Sequence, residues 1–128
     1  MYDYDVVCIG GGPGGSASAM RCADRGKKVA IIEARARNGS GGTCVNRGCI
    51  PTKALMASAN LYASIKEAKT YGINVDMSAV SVDFKAIDKR KNAVINGLGF
   101  GLEAMLWKKS RGIDVIKGRA RLSLIHIS

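Results

Sequence analysis

Val6-Val7-Cys8-Ile9-Gly10-Gly11-Gly12-Pro13-Gly14-Gly15 is the stretch from which the rest of the chain is read. A short apolar run that starts at Asp5 and stops at glycines predicts a fully buried parallel strand. Gly10, Gly12 and Gly15 satisfy the spacing G-x-G-x-x-G. Gly10 permits a tight turn, Gly12 lets a pyrophosphate approach the backbone, and Gly15 lets the next helix pack on the strand. Pro13 and Gly14 belong to the same candidate cradle. A helix is predicted over 16–25, rich in small residues (Ala17, Ala19, Ala23) and stopped by Gly26. Its N-terminal amides and dipole suit phosphate. A second buried strand, Val29-Ala30-Ile31-Ile32, ends in Glu33, placed to accept ribose hydroxyls. Strand, glycine loop, helix, and strand ending in an acid predict an α/β, Rossmann-like nucleotide-binding domain with a parallel sheet. The carboxylate at Glu33 disfavours a 2′-phosphate, with Arg35 and Arg37 close by in sequence.

Length and composition agree with one such domain. The 128 residues suffice for a proper core. No apolar run reaches the length of a membrane span, and no export signal precedes the first strand. Four cysteines without an export signal point to reducing surroundings, where a disulfide is catalytic more often than structural. The net charge of +10 raises nucleic-acid binding as a possibility. The bases spread through 85–91 and 108–121 among glycines and apolar residues, with almost no aromatic interleaving, and read as solvated faces and loops. Neither a nucleic-acid nor a membrane partner is expected.

Cys44 and Cys49 dominate the middle of the chain, in Gly42-Thr43-Cys44-Val45-Asn46-Arg47-Gly48-Cys49-Ile50-Pro51-Thr52-Lys53. C-x4-C is neither a zinc knuckle nor the C-x-x-C of thioredoxin-like sites, and no metal site is expected. Gly48 allows the irregular backbone that would bring two sulfurs together. A helix running on through Lys53 would set its positive end near them and favour a thiolate. On these residues alone, a reactive pair and two buried cysteines at a helix start are equally open. Cys8 and Cys22 read as small apolar fillers.

Beyond the pair, a helix is expected over about 52–70, ending near Gly72, with Leu55, Ala59, Tyr62 and Ile65 as a partial stripe. Asp83 is placed to cap a second long helix, whose Ile87, Val94, Ile95, Leu98, Leu102, Met105 and Leu106 recur as a packing face, with Gly112 at its end. Gly97, Gly99 and Gly101 weaken that helix and suggest close packing. Residues 113–117, Gly118 and 120–122 read as strand, turn, strand.

Together Gly10–Gly15, Glu33, the run from Gly41 to Lys53, and Val115-Ile116-Lys117-Gly118 resemble the N-terminal FAD domain of the flavin-dependent disulfide oxidoreductases. Within that family Thr52-Lys53-Ala54-Leu55 resembles the branch that oxidises dihydrolipoamide, with mercuric reductases as the nearer rival. The loop at 35–40 is longer than the family's pattern. The resemblance covers 1–122; the tail 123–128, containing the lone His126, departs from it and resembles non-native sequence. It implies FAD held by Gly10, Gly12, Pro13, Gly14, Gly15, Glu33, Gly42, Thr43, Cys44, Lys53 and Gly118. It implies catalysis by Cys44 and Cys49: Cys49 nearest the flavin, in charge-transfer contact, and Cys44 exchanging with the dithiol substrate. Electrons would pass from dihydrolipoamide on lipoyl carrier domains of 2-oxo acid dehydrogenase or glycine cleavage complexes to FAD, then NAD⁺. The family also implies a homodimer, and Val45-Asn46-Arg47-Gly48 resembles bacterial and plastid versions; with no transit peptide in view, a bacterial cytoplasmic protein is expected ahead of a plastid or mitochondrial-matrix one. A second nucleotide loop and the family's catalytic His are missing, so the chain is expected to be a fragment without turnover of its own. An FAD module without turnover, and a thiol-based redox or metal sensor, are the competing readings.

Overall fold

The computed structural model describes residues 2–34, 40–106 and 112–123. The elements run β1 (Val6–Ile9), α1 (Pro13–Ala23), β2 (Val29–Glu33), α2 (Gly42–Arg47), α3 (Cys49–Glu67), α4 (Phe84–Leu106) and β3 (Ile113–Lys117). Two single 3₁₀ turns, Ala68–Tyr71 and Met77–Ala79, join α3 to α4. The three strands form one parallel sheet in the order β1-β2-β3. Val6, Val29 and Ile113 lie in one row, and Cys8, Ile31 and Val115 in the next. This is the α/β architecture with a βαβ start that the opening stretch predicts.

β2 is the central strand, and Val29, Ala30 and Ile31 are almost wholly removed from solvent. The core lies on one face of the sheet, where Ala19 of α1 and Leu106 of α4 meet Val29, Ile31 and Ile113. Strand alternation sends Val7, Ile9 and Ile116 to the opposite face, where they are 48%, 57% and 42% exposed. The expectation of a fully buried β1 is therefore corrected. One face of β1 carries packed Val6 and Cys8, and the other is open.

α1 begins three residues earlier than expected, because Pro13 occupies its first position and needs no amide partner there. It ends in a paired closure: the Gly26 N–H donates to the Ala23 carbonyl (2.8 Å) and the Lys27 N–H to the Cys22 carbonyl (3.1 Å). Gly26 takes the left-handed φ of +76° that this closure requires. α3 likewise starts earlier than expected, at Cys49, and passes into a 3₁₀ turn before Gly72 (φ +79°).

α3 and α4 pack against one another, and Arg90 Nη1 donates to the Ala54 carbonyl at 3.1 Å. Asp83 caps α4 as expected, its Oδ1 accepting the Ala86 N–H at 3.0 Å. The side of α3 that is buried carries Ala54, whereas Leu55, Ala59 and Tyr62 of the expected stripe are exposed and line shallow grooves of about 280 to 310 Å³ beside residues 80–87. On α4, Leu106 is buried but Leu98 and Met105 are about half exposed, so the packing face is narrower than its periodicity implies. A Cβ on Gly97, Gly99 or Gly101 would meet nothing within 4 Å, so no contact among the described residues requires glycine there. Residues 120–122 form no strand. The loop 35–39, the bases of 108–111 and His126 lie outside the described residues.

Candidate functional site

The glycine loop after β1 is tied down from three sides. The Gly10 N–H donates to the Ile32 carbonyl at 2.8 Å, extending the β1–β2 ladder by one bond. The buried hydroxyl of Ser16 donates to the Gly11 carbonyl at 2.8 Å, and the Gly41 N–H donates to the same oxygen at 2.7 Å. Two glycines are indispensable by contact. A Cβ on Gly15 would lie 2.0 Å from the Gly10 carbonyl oxygen, so α1 could not sit this close to the turn. A Cβ on Gly42, whose φ is +55°, would lie 2.8 Å from the Gly12 Cα. Thus the chain just before the cysteines docks directly onto the glycine loop. The first-turn amides of α1, at Gly14 and Gly15, have no acceptor within their own helix, as the geometry of any helix start dictates.

Glu33 sits at the end of β2, at the same end of the sheet. One of its carboxylate oxygens accepts the Gly11 N–H at 2.7 Å. Its carbonyl accepts the Gly118 N–H at 2.8 Å. Gly10–Gly15, Glu33, Gly42 and Gly118 therefore form one cluster at the carboxyl ends of the parallel strands, where open α/β sheets bind ligands.

Cys44 lies within α2 and Cys49 opens α3, with Gly48 as the break between the helices. Gly48 fits closely there: an added Cβ would be 3.2 Å from the Thr43 carbonyl oxygen. Both thiols are free, Cys44 half-buried and Cys49 exposed. They are near enough to share a hydrogen bond, and that bond is the main reason the Cys44 thiol is raised above its ordinary value. Partial burial and the charge of Cys49 act in the same direction. The Cys49 backbone N–H and the Lys53 charge pull the other way and are outweighed. The expectation that the helix start favours a thiolate does not hold for Cys44. It stands in the first turn of α2, and Cys49 opens α3. Thr43 and Lys53 are exposed, Thr43 in the first turn of α2 and Lys53 one turn into α3.

Three further residues escaped the sequence reading. Ser16 is 3% exposed and braces the loop, and its signal was a hydroxyl in the first turn of a helix of small residues. Gly41, at φ +91°, makes the direct tie to Gly11. Asn46 turns its side-chain amide back to the carbonyls of Gly42 (2.8 Å) and Ser40 (3.4 Å). Its position between two cysteines was the only hint. Cys8 and Cys22 pack against the core instead, as the sequence suggested. Among the described residues no cluster of three or more His, Cys, Asp or Glu could hold a metal, and no helix is long and apolar enough to cross a membrane.

Chemically, the arrangement offers a backbone cradle for phosphate, a carboxylate beside it, and a dithiol that can close and open. Comparison with known proteins adds a lineage. A family model described as pyridine nucleotide-disulphide oxidoreductase matches residues 4–126. A dihydrolipoyl dehydrogenase of Chlamydia pneumoniae is 43% identical over 120 residues, covering 94% of this chain and 24% of that protein. One from Bacillus subtilis (strain 168) is 42% identical over 120 residues, with the same coverage. One from Acholeplasma laidlawii is 36% identical over 116 residues, covering 91% of this chain and 33% of that protein. The chain thus spans between a quarter and a third of the length of these curated relatives.

Proposed function

The chain belongs to the pyridine nucleotide-disulphide oxidoreductase family, and we propose that it is the FAD-holding, dithiol-bearing part of a dihydrolipoyl dehydrogenase. The observation that carries this reading is the docking of Gly41–Gly42 onto Gly11–Gly12. It places the cysteine helices against the nucleotide loop, so one bound molecule can touch both. The residues fit FAD on steric grounds: Gly42 leaves backbone bare where a Cβ would run into Gly12, and Gly15 brings the start of α1 to the turn. The α1 amides of Gly14 and Gly15 would hold the pyrophosphate, with Gly10, Gly12 and Pro13 shaping the turn. Glu33 and Gly118 would take the adenosine end, and Gly42, Thr43, Cys44 and Lys53 the flavin end. When bound, FAD supplies a two-electron acceptor beside the thiols.

The thiols divide the work by position. Dihydrolipoamide brings one thiolate to the sulfur of Cys44 in the closed Cys44–Cys49 pair, forming a mixed disulfide and releasing Cys49 as the leaving sulfur. Cys49 leaves from the first position of α3. The second substrate thiol then displaces Cys44, which takes up a proton and donates it in a hydrogen bond to Cys49. The raised Cys44 thiol suits that final state. NAD⁺ is the terminal acceptor, and the 128 residues contain no second G-x-G-x-x-G for it. Lipoyl carriers of 2-oxo acid dehydrogenase or glycine cleavage complexes, a homodimer, and the bacterial cytoplasm complete the proposal.

A visible spectrum of the chain with FAD, before and during titration with a dithiol, tests it. Bound flavin with a long-wavelength band that disappears in Cys49→Ser is the expected result. Bound flavin whose spectrum ignores dithiol reduces the proposal to an FAD module. Stoichiometric metal with no flavin replaces it with a sensor.

A further inference from the structure

We propose that Asn46 is a positioning residue that sets the separation of the two thiols by clamping α2 to the turn docked on the glycine loop. The inference rests on the reading of Cys44 and Cys49 as the reactive pair. The two cysteines are supported unequally. Cys49 belongs to α3, which has 19 residues and packs along α4. Cys44 belongs to α2, which has six, too few for an isolated helix to persist. Freedom in the pair therefore lies on the Cys44 side.

That side is restrained by the packing of α2 against α3 and α4 and by a short set of bonds that tie it to the glycine loop. The Gly41 N–H anchors the turn to the Gly11 carbonyl, and the Val45 N–H closes onto the Gly41 carbonyl at 3.2 Å. The Asn46 amide gathers the carbonyls of Gly42 and Ser40, and Ser40 is buried. Cys44 stands between Gly42 and Asn46 on the turn that this amide closes. Both glycines of that turn have left-handed φ angles, +91° and +55°, so the conformation needs holding. With the amide removed, α2 can fray from the docked turn, and Cys44 spends less time against Cys49.

The effective concentration of one thiol at the other should fall. Closure of the pair by glutathione disulfide transfers two electrons and two thiol protons, producing one Cys44–Cys49 bond and two glutathione thiols. Its equilibrium constant reads the thiol separation and needs no flavin. Asn46→Asp keeps the shape but replaces the donor with an acceptor facing two carbonyls. Asn46→Ala removes it altogether. We expect closure to weaken about tenfold in either variant, the equivalent of one net hydrogen bond, or about 30 mV in the two-electron potential. Asn46→Gln, which restores a donor, should recover part of the loss.

The experiment equilibrates the chain in glutathione buffers and quantifies Cys44 and Cys49 by differential alkylation and peptide mass spectrometry, with a thermal melt of each variant alongside. A lower melting temperature with closure within about twofold of the parent gives Asn46 a merely structural role and overturns the inference. A parent pair that never closes overturns it as well. If Asn46→Asp does not fold, Asn46→Ser is judged by the same threshold. Because closure is read without FAD, failure to bind flavin counts against the proposed function alone, and unchanged closure in a flavin-binding chain counts against Asn46 alone.

Discussion

Cys8 and Cys22 stand on β1 and α1 against the hydrophobic core, whereas Cys44 and Cys49 stand on consecutive helices beside the glycine loop. A thiol in each pair is held above its ordinary value, but for different reasons. For Cys8 the first cause is burial, with the charge of Cys22 second. For Cys44 it is a hydrogen bond from one thiol to the other. Burial makes a thiol inert because it removes water and gives nothing in return. A shared hydrogen bond also keeps the proton in place, but it does so by holding a partner sulfur within reach. A raised thiol therefore marks a filler in one place and half of a close-set pair in the other.

The largest test of that contrast is Cys49→Ser against Cys8→Ser. Cys49→Ser should abolish closure by glutathione disulfide completely. Cys8→Ser should leave closure unchanged and lower the chain's stability by about 1 kcal/mol, as a small packing change does. Equal closure in both variants would erase the distinction, and alkylation mass spectrometry decides it.

The glycines divide in the same way. Gly15 has a carbonyl oxygen where its Cβ would be, and Gly97 and Gly101 have open space. Gly15→Ala should cost at least about 3 kcal/mol in urea unfolding, the upper range for overpacking. Gly97→Ala and Gly101→Ala should each stabilise by about 0.5 to 1 kcal/mol, because they remove backbone freedom within α4.

The smallest effect is on pH dependence. Cys8 and Cys44 bind their protons more tightly folded than unfolded, so the folded state holds more protons across that interval. Their contribution is fully present below the ordinary thiol value of 9.0. It is lost as pH rises through the higher folded values. Melting temperature should therefore fall on the alkaline side, and less steeply in Cys49→Ala, which removes the hydrogen bond that raises Cys44. An unchanged slope would mean that Cys44 is held up by burial, like Cys8.

Much of this was legible in the residues. Val6–Ile9 before Gly10–Gly15, and Val29–Ile32 before Glu33, are local patterns in which backbone freedom, apolar runs and one acid each mean something on their own. Asp83 capping α4 and Gly26 closing α1 are equally local. Errors arose wherever an outcome depended on a distant neighbour. Val7 and Ile9 are as apolar as Val6, yet what covers each face of β1 is settled by elements far along the chain. Leu98 and Met105 keep helical spacing with Leu106, but only Leu106 reaches the sheet. Residues 120–122 have strand-like composition and no described strand beside them.

The candidate site divides along the same line. By itself the sequence determined the βαβ start, the glycine loop, the acid at Glu33 and the closely spaced pair Cys44 and Cys49, because each follows from the chemistry of adjacent residues. Only the tertiary structure decided that Gly41 bonds Gly11, that Gly42 lies on Gly12, that Glu33 holds the Gly11 amide, and that Asn46 closes the turn carrying Cys44. Those contacts join segments 22 to 30 residues apart, or depend on left-handed turns that place them, and no local preference encodes where a folded chain will meet itself.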